Sequence, residues 1–362
     1  MRDYAGAVPA PLADDPLVLA PAQWRARAEA HRARITPYTE PLRELHSAGV
    51  RHPVHDFLFS YYSLTPGALE RWHPGAGVVL AADPAAPDPA VPHAPGPDAG
   101  RAPHAAASPA PAAPGAGEPG GRFYRRLEPA PGLPEGGWTV DLAAFAERRG
   151  TMVEFARRIL AGTARRPARL ACFGLHEWAM AYRSEVHGVR HSTVPLRLGA
   201  EGTNRVVEEN RIACSHFDAF RFYAPEAAPL NELQPTRATQ VDLEQPGCLH
   251  ANMDLYKWAY KLLPAVGSDL VADCFELAWR IRTMDMRASP YELAAWGLEP
   301  IRIETPAGRA EYVRHQRAFA VEANALRARL LEALAPLEPP EPLAAPDGSY
   351  GPDRAPGASS RG

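Results

Sequence analysis

The stretch Cys248-Leu-His-Ala-Asn-Met-Asp-Leu-Tyr-Lys-Trp-Ala-Tyr-Lys-Leu-Leu263 sets the fold class. Read at 3.6 residues per turn, it separates into three stripes. His250, Asp254, Lys257 and Lys261 follow one another at i, i+4, i+7 and i+11. Met253, Tyr256, Tyr260 and Leu263 form a second stripe, and Leu255, Trp258 and Leu262 a third. The helix runs over 249–263. Its charged stripe reads either as a solvated face with Asp254 and Lys257 paired at i, i+3 or as a wall of carboxylate, imidazole and amine flanked by aromatics. Other helices accompany it. Two follow directly. Residues 269–284 place Leu270, Cys274, Leu277 and Ile281 on one face behind Ser268 as a possible cap, and 306–335 continue as a long helix.

Working outward, Thr65-Pro66 opens a short helix, with threonine as cap and proline at the first helical position. Residues 141–161 read as a helix, or a pair divided near Gly150, and Ser289-Pro290-Tyr291-Glu292 as the capping box of another short one. The best strand candidates are Val194–Leu198 and Pro300–Glu304, the latter because Ile301 and Ile303 alternate with Arg302 and Glu304. The expected class is mainly α with a few short strands, with α+β as the alternative.

Composition bounds the domain. From 81 to 120, 31 of 40 residues are Ala, Pro or Gly, and seven prolines follow from Pro336 to the end. Such stretches hold too few large apolar groups to offset the entropy of ordering them. The expected organisation is a flexible N-terminus over 1–21 and a single helical domain over 22–335. A disordered insertion at 81–120 interrupts that domain, and 336–362 form a disordered tail.

The net charge of −3 excludes a histone-like polycation but leaves room for a local basic patch. Seven arginines between Arg148 and Arg169, against one glutamate, form such a stretch, and several could neutralise phosphates. There are 37 arginines and only two lysines, Lys257 and Lys261, so lysine at those positions hints at a wanted amine. Four cysteines without C-x-x-C spacing do not form a secreted disulfide framework. No apolar leader or membrane span is visible, and the expected location is the cytoplasm.

The chemistry-bearing residues recur in three segments: Cys172-x3-His176-Glu177-Trp178, Cys214-x-His216-Phe217-Asp218, and Cys248-x-His250-x3-Asp254. Each interleaves acid, imidazole and aromatic ring. One function for that texture is acid–base work on a planar base. Asp254, Glu177, Asp218 and Lys257 would then be the catalytic candidates, and His176, Trp178, His216, Phe217, His250, Tyr256 and Trp258 the binding surface. Asp254 is the preferred carboxylate, because Lys257 lies one turn on and Trp258 offers a π face. A second function is a zinc or iron site on His176, His216 and His250, in a metal-dependent small-molecule enzyme. In a third, a non-catalytic binding protein, these groups are core. Dinucleotide, P-loop, serine-hydrolase and zincin motifs are absent.

Several phrases resemble a family of high-GC bacteria whose members are labelled 3-methyladenine DNA glycosylase. They are H-P-V-H-D-F-L-F-S-Y-Y-S (52–63), R-W-H-P-G (71–75), C-F-G-L-H-E-W-A-M (172–180), C-S-H-F-D-A-F-R-F (214–222), E-Q-P-G-C-L-H-A-N-M-D-L-Y-K-W-A-Y-K-L (244–262) and A-D-C-F-E-L-A-W-R-I-R-T-M-D-M-R-A-S-P-Y (272–291). The resemblance covers nearly all of 22–335. It implies excision of N3-alkylated purines from DNA without a cofactor, by a protein lacking the helix-hairpin-helix signature, and it assigns no catalytic residues. If either enzymatic reading holds, His176, Glu177, His216, Asp218, His250 and Asp254 converge on one pocket.

Overall fold

A computed structural model describes residues 16–83 and 121–337. The calls on the first fifteen residues, on the insertion from 84 to 120 and on the tail from 338 lie outside the described residues. The protein is mainly α with a few short strands.

The strands are not those the alternation suggested. β1 (Leu17–Leu19) runs parallel to β2 (Val78–Ala81), while β3 (Tyr124–Leu127) and β4 (Gly137–Val140) complete a sheet ordered β1-β2-β4-β3. β4 is antiparallel to both of its neighbours, with Leu80 opposite Trp138 and Arg126 opposite Trp138. Part of the segment expected to be a flexible N-terminus is therefore a strand. Leu19 is buried against Trp24 and Leu80, a partner distant in sequence. In contrast, Leu196 makes only an isolated bridge to Tyr291. Ile301 and Ile303 are both buried, but Ile301 N–H donates to Arg287 O and Ile303 N–H back to Ile301 O. Their alternation reflects a turn pressed into the core, with no ladder.

The first helices are α1 (Pro21–Ser47), α2 (Phe57–Ser60) and α3 (Pro66–Leu69), the last capped by Thr65, whose hydroxyl accepts from Ala68 N–H. α4 (Leu142–Arg165) passes Gly150 without a break, with Asp141 as its cap. Then come α5 (Leu175–Met180), α6 (Ser184–His187), α7 (Gly199–Glu209), α8 (Phe217–Phe220) and α9 (Gln240–Leu243). Three longer helices close the fold: α10 (Leu249–Lys261), α11 (Ser268–Arg287) and α12 (Pro306–Ala333). Ser268 does not cap α11. Its hydroxyl accepts from His73 N–H at 2.8 Å and ties the start of that helix to the loop after α3. Ser289 opens no α-helix either, because its hydroxyl donates back to Met286 O, and only a 3-10 turn, Ala294–Trp296, follows.

α10, α11 and α12 pack on one another, and every residue of α10 from Leu249 to Ala259 is buried. The stripe His250–Asp254–Lys257 therefore faces inward. That placement brings the site into being.

Candidate active site

Four elements deliver side chains to the inner face of α10. A tight turn in which Phe173 and Gly174 both take positive φ (49° and 75°) starts α5. A Cβ on Gly174 would stand 3.1 Å from the Tyr312 ring, so glycine permits the close approach as well as the turn. The turn sends His176 and Glu177 toward α11, where His176 Nε2 meets Asp285 Oδ2 at 2.9 Å and Arg282 Nη1 donates to Glu177 Oε1 at 2.7 Å. His216 caps α8, its Nδ1 accepting from Ala219 N–H, which directs Nε2 to Glu244 and Asp254, both 3.3 Å away. Tyr62 donates to Asp254 Oδ1 at 3.0 Å. Lys257 Nζ binds Asp254 directly and stands 3.5 Å from Asp218.

Of the six residues expected to line one pocket, Glu177, Asp218 and His250 line the cleft, whereas His176, His216 and Asp254 are buried behind it. The His250 ring lies 4.4 Å from that of His176 and 5.3 Å from that of His216. They nonetheless fall into two clusters, His176–His250–Asp285 and His216–Glu244–Asp254, within each of which one potential ligand atom per residue lies within 4.8 Å of the others. The expected trio of His176, His216 and His250 is thus divided, with a carboxylate from α11 standing where a third imidazole was expected.

Electrostatics follows the pairing. Burial opposes charge on His176, but the Asp285 carboxylate outweighs it and lifts the imidazole to about 9. Burial likewise opposes ionisation of Glu177, and the Arg282 guanidinium overcomes it, bringing the carboxyl down to about 2. The Lys257 ammonium holds Asp254 below the usual carboxylate range against the same burial. His250 behaves in the opposite way, since burial and the neighbouring His176 keep it neutral, well below 6.5.

A narrow cleft reaches this assembly from solvent. Glu177, His250 and Arg282 lie along it with Asp218, and Tyr61 and Phe222 offer ring surface. Asp254 is 1% exposed and enclosed by Tyr62, Lys257 and His216, so it does not reach the cleft. The aromatic assignments shift too. Tyr256 is core, packed edge-on against Tyr62 and Phe275, and the Trp178 indole is buried and donates to Ala288 O. Trp258 packs against Phe155 of α4, and Phe217 is half-buried without lining the cleft. Of the basic stretch, Arg157 and Arg166 brace α4 by donating to Leu334 O and Glu244 O, whereas Arg158, Arg165 and Arg169 are exposed.

Sequence reasoning missed Arg282, Asp285, Glu244 and Tyr62. A signal existed for Asp285. The stripe Leu270–Cys274–Leu277–Ile281 reaches position 285 after one further turn, so a carboxylate there falls on the buried face. Comparison with protein-family models, curated proteins and solved structures finds no match.

The buried histidines predict an acid-labile fold. Burial holds His55 at about 3 and both His73 and His191 at about 4, so these groups stay neutral in the native state while the unfolded chain takes up protons near 6.5. Their contribution is lost as pH falls below about 6.5. His176 acts on the other side: its raised value stabilises fully below about 6.5 and fades as pH climbs toward 9. Urea midpoints should therefore peak near neutrality and drop more steeply toward pH 5 than toward pH 9. Equal midpoints at pH 7 and pH 5 would show that the histidines are not held neutral.

Proposed function

We propose that this chain hydrolyses the N-glycosidic bond of N3-alkylated purines in DNA. The observation that carries the reading is the mouth of the cleft, where a carboxylate, the Tyr61 ring and three exposed guanidinium groups meet. Arg190 and Arg221 lie over the Phe222 ring at 4.1 and 4.2 Å. Arg221 Nε is 3.1 Å and Arg237 Nη1 4.0 Å from Asp218. Exposed arginines can hold the phosphates flanking a flipped-out nucleotide, while Tyr61 offers ring surface to a planar base.

An N3-alkylated purine carries positive charge and departs readily. The bond from C1′ to the purine nitrogen breaks with its electron pair going to the base. Water then adds to C1′ and gives up a proton. The sugar cation formed on the way needs a nearby carboxylate, and Asp218 is the one at the mouth, with Glu177 deeper and tied to Arg282. Asp254, through Lys257, would keep the ammonium directed at Asp218, which makes it a positioning residue. A purely structural role for this cluster is the weaker reading, because buried ion pairs seldom stabilise more than apolar replacements of similar volume.

The test is release of free 3-methyladenine from methylated duplex DNA, followed by chromatography with protein in excess. Time-dependent release is expected, together with tight binding to abasic-site DNA that weakens with salt. Replacing Arg190 or Arg237 by alanine should lower the slope of log K against log salt by about 1 each. If wild-type protein releases no base, the assignment is wrong.

A further inference from the structure

We propose that His176, His250 and Asp285 form a binding site for one first-row divalent cation, zinc or iron(II), at the inner end of the cleft. The inference is independent of the glycosylase reading, since metal content is measured without reference to base release.

Two imidazoles and one carboxylate are the donor set that borderline cations favour. Here they come from α5, α10 and α11, three helices whose relative placement the core fixes. One donor atom from each lies within 4.8 Å of the others, and His176 Nε2 and Asp285 Oδ2 are 2.9 Å apart. Metal bonds of about 2.0–2.2 Å place tetrahedral donors about 3.3 Å apart, so small side-chain rotations suffice.

The second observation is His250 itself. It is 8% exposed and lines the cleft, and its ring lies 4.4 Å from that of His176. It is the one member of the trio to line the cleft, so a remaining coordination position would open toward solvent and substrate.

The outer contacts fit the same assignment. Cys172 Sγ meets His176 Nδ1 at 3.2 Å, which turns Nε2 inward, and Tyr312 donates to Asp285 Oδ1 at 3.1 Å, leaving Oδ2 facing the histidine. Metal-binding side chains are typically held by such second partners. The neighbouring cluster differs. In His216–Glu244–Asp254 the Lys257 ammonium already sits on Asp254 and supplies the positive charge.

The experiment uses the full chain, stripped with chelator, reloaded with zinc or, anaerobically, iron(II), and passed through gel filtration before elemental analysis. One equivalent per chain is expected. His250→Gln and Asp285→Asn should weaken binding at least about 10-fold, and Tyr312→Phe about 10-fold. His216→Gln should retain the full equivalent. Should a buried variant fail to fold, cobalt(II) titration of the wild-type chain decides, since a four- or five-coordinate nitrogen–oxygen site gives visible d–d absorption that saturates at one equivalent. Wild-type protein that retains no metal and gives no cobalt spectrum overturns the proposal, as does loss of binding in His216→Gln but not in His250→Gln.

Discussion

Arg282→Met should destabilise the protein by about 3–5 kcal/mol, the largest effect expected of a single substitution at the site. Arg282 is 1% exposed, and its guanidinium lies over the Phe57 ring at 4.2 Å while donating to Glu177. Methionine preserves most of the apolar stem but leaves the Glu177 carboxylate buried without its cation. The double variant Arg282→Met/Glu177→Gln removes both charges and should recover much of the loss, because the penalty comes from the stranded carboxylate. Urea denaturation of the three proteins checks this. A single-variant loss below about 1 kcal/mol, or a double variant no better than the single, would mean that the pair is not what holds α5 to α11.

Asp218→Asn should reduce release of 3-methyladenine by about 10²–10⁴-fold, with the fold and DNA binding retained. Its carboxylate lines the cleft beside Arg221 and within reach of Lys257, and no apolar core depends on it. Asp254→Asn should behave differently. Loss of that buried charge leaves Lys257 only Asp218 and His216 only Glu244, so stability falls together with activity. The distinguishing measurement is single-turnover base release set beside urea midpoints for both variants. Full activity in Asp218→Asn with a dead but well-folded Glu177→Gln would move the chemistry one step deeper into the cleft.

Much of this arrangement was visible as periodicity, and little of it as burial. The polar stripe His250–Asp254–Lys257 could be drawn on α10 from spacing alone. A helix with a charged stripe usually turns it to water, and only the packing of α11 and α12, with α5 and α8 laid across, turns this one inward. Arg282 and Asp285 escaped notice because R-I-R-T-M-D-M-R looks like the solvated end of a helix. The strands were hidden for another reason. β1 pairs with residues about sixty positions away, and nothing in Leu17–Leu19 announces a partner at that distance. Conversely, the alternation of Ile301 and Ile303 was real and its cause was different, since a turn can bury every second residue as a strand does.

The two described segments hold each other by means that do not involve the chain between them. Residues 16–83 contribute β1 and β2 to a sheet completed by β4. Arg34 reaches from α1 to Asp273 and Glu276 on α11, His55 meets Thr283, and Tyr62 supplies the hydroxyl on Asp254. Ala82 N–H donates to Gly136 O and Asp83 pairs with Arg25, so the join at the leading edge is fastened before residue 84. The union of the two described segments is therefore set by contacts among residues 16–83 and 121–337 themselves.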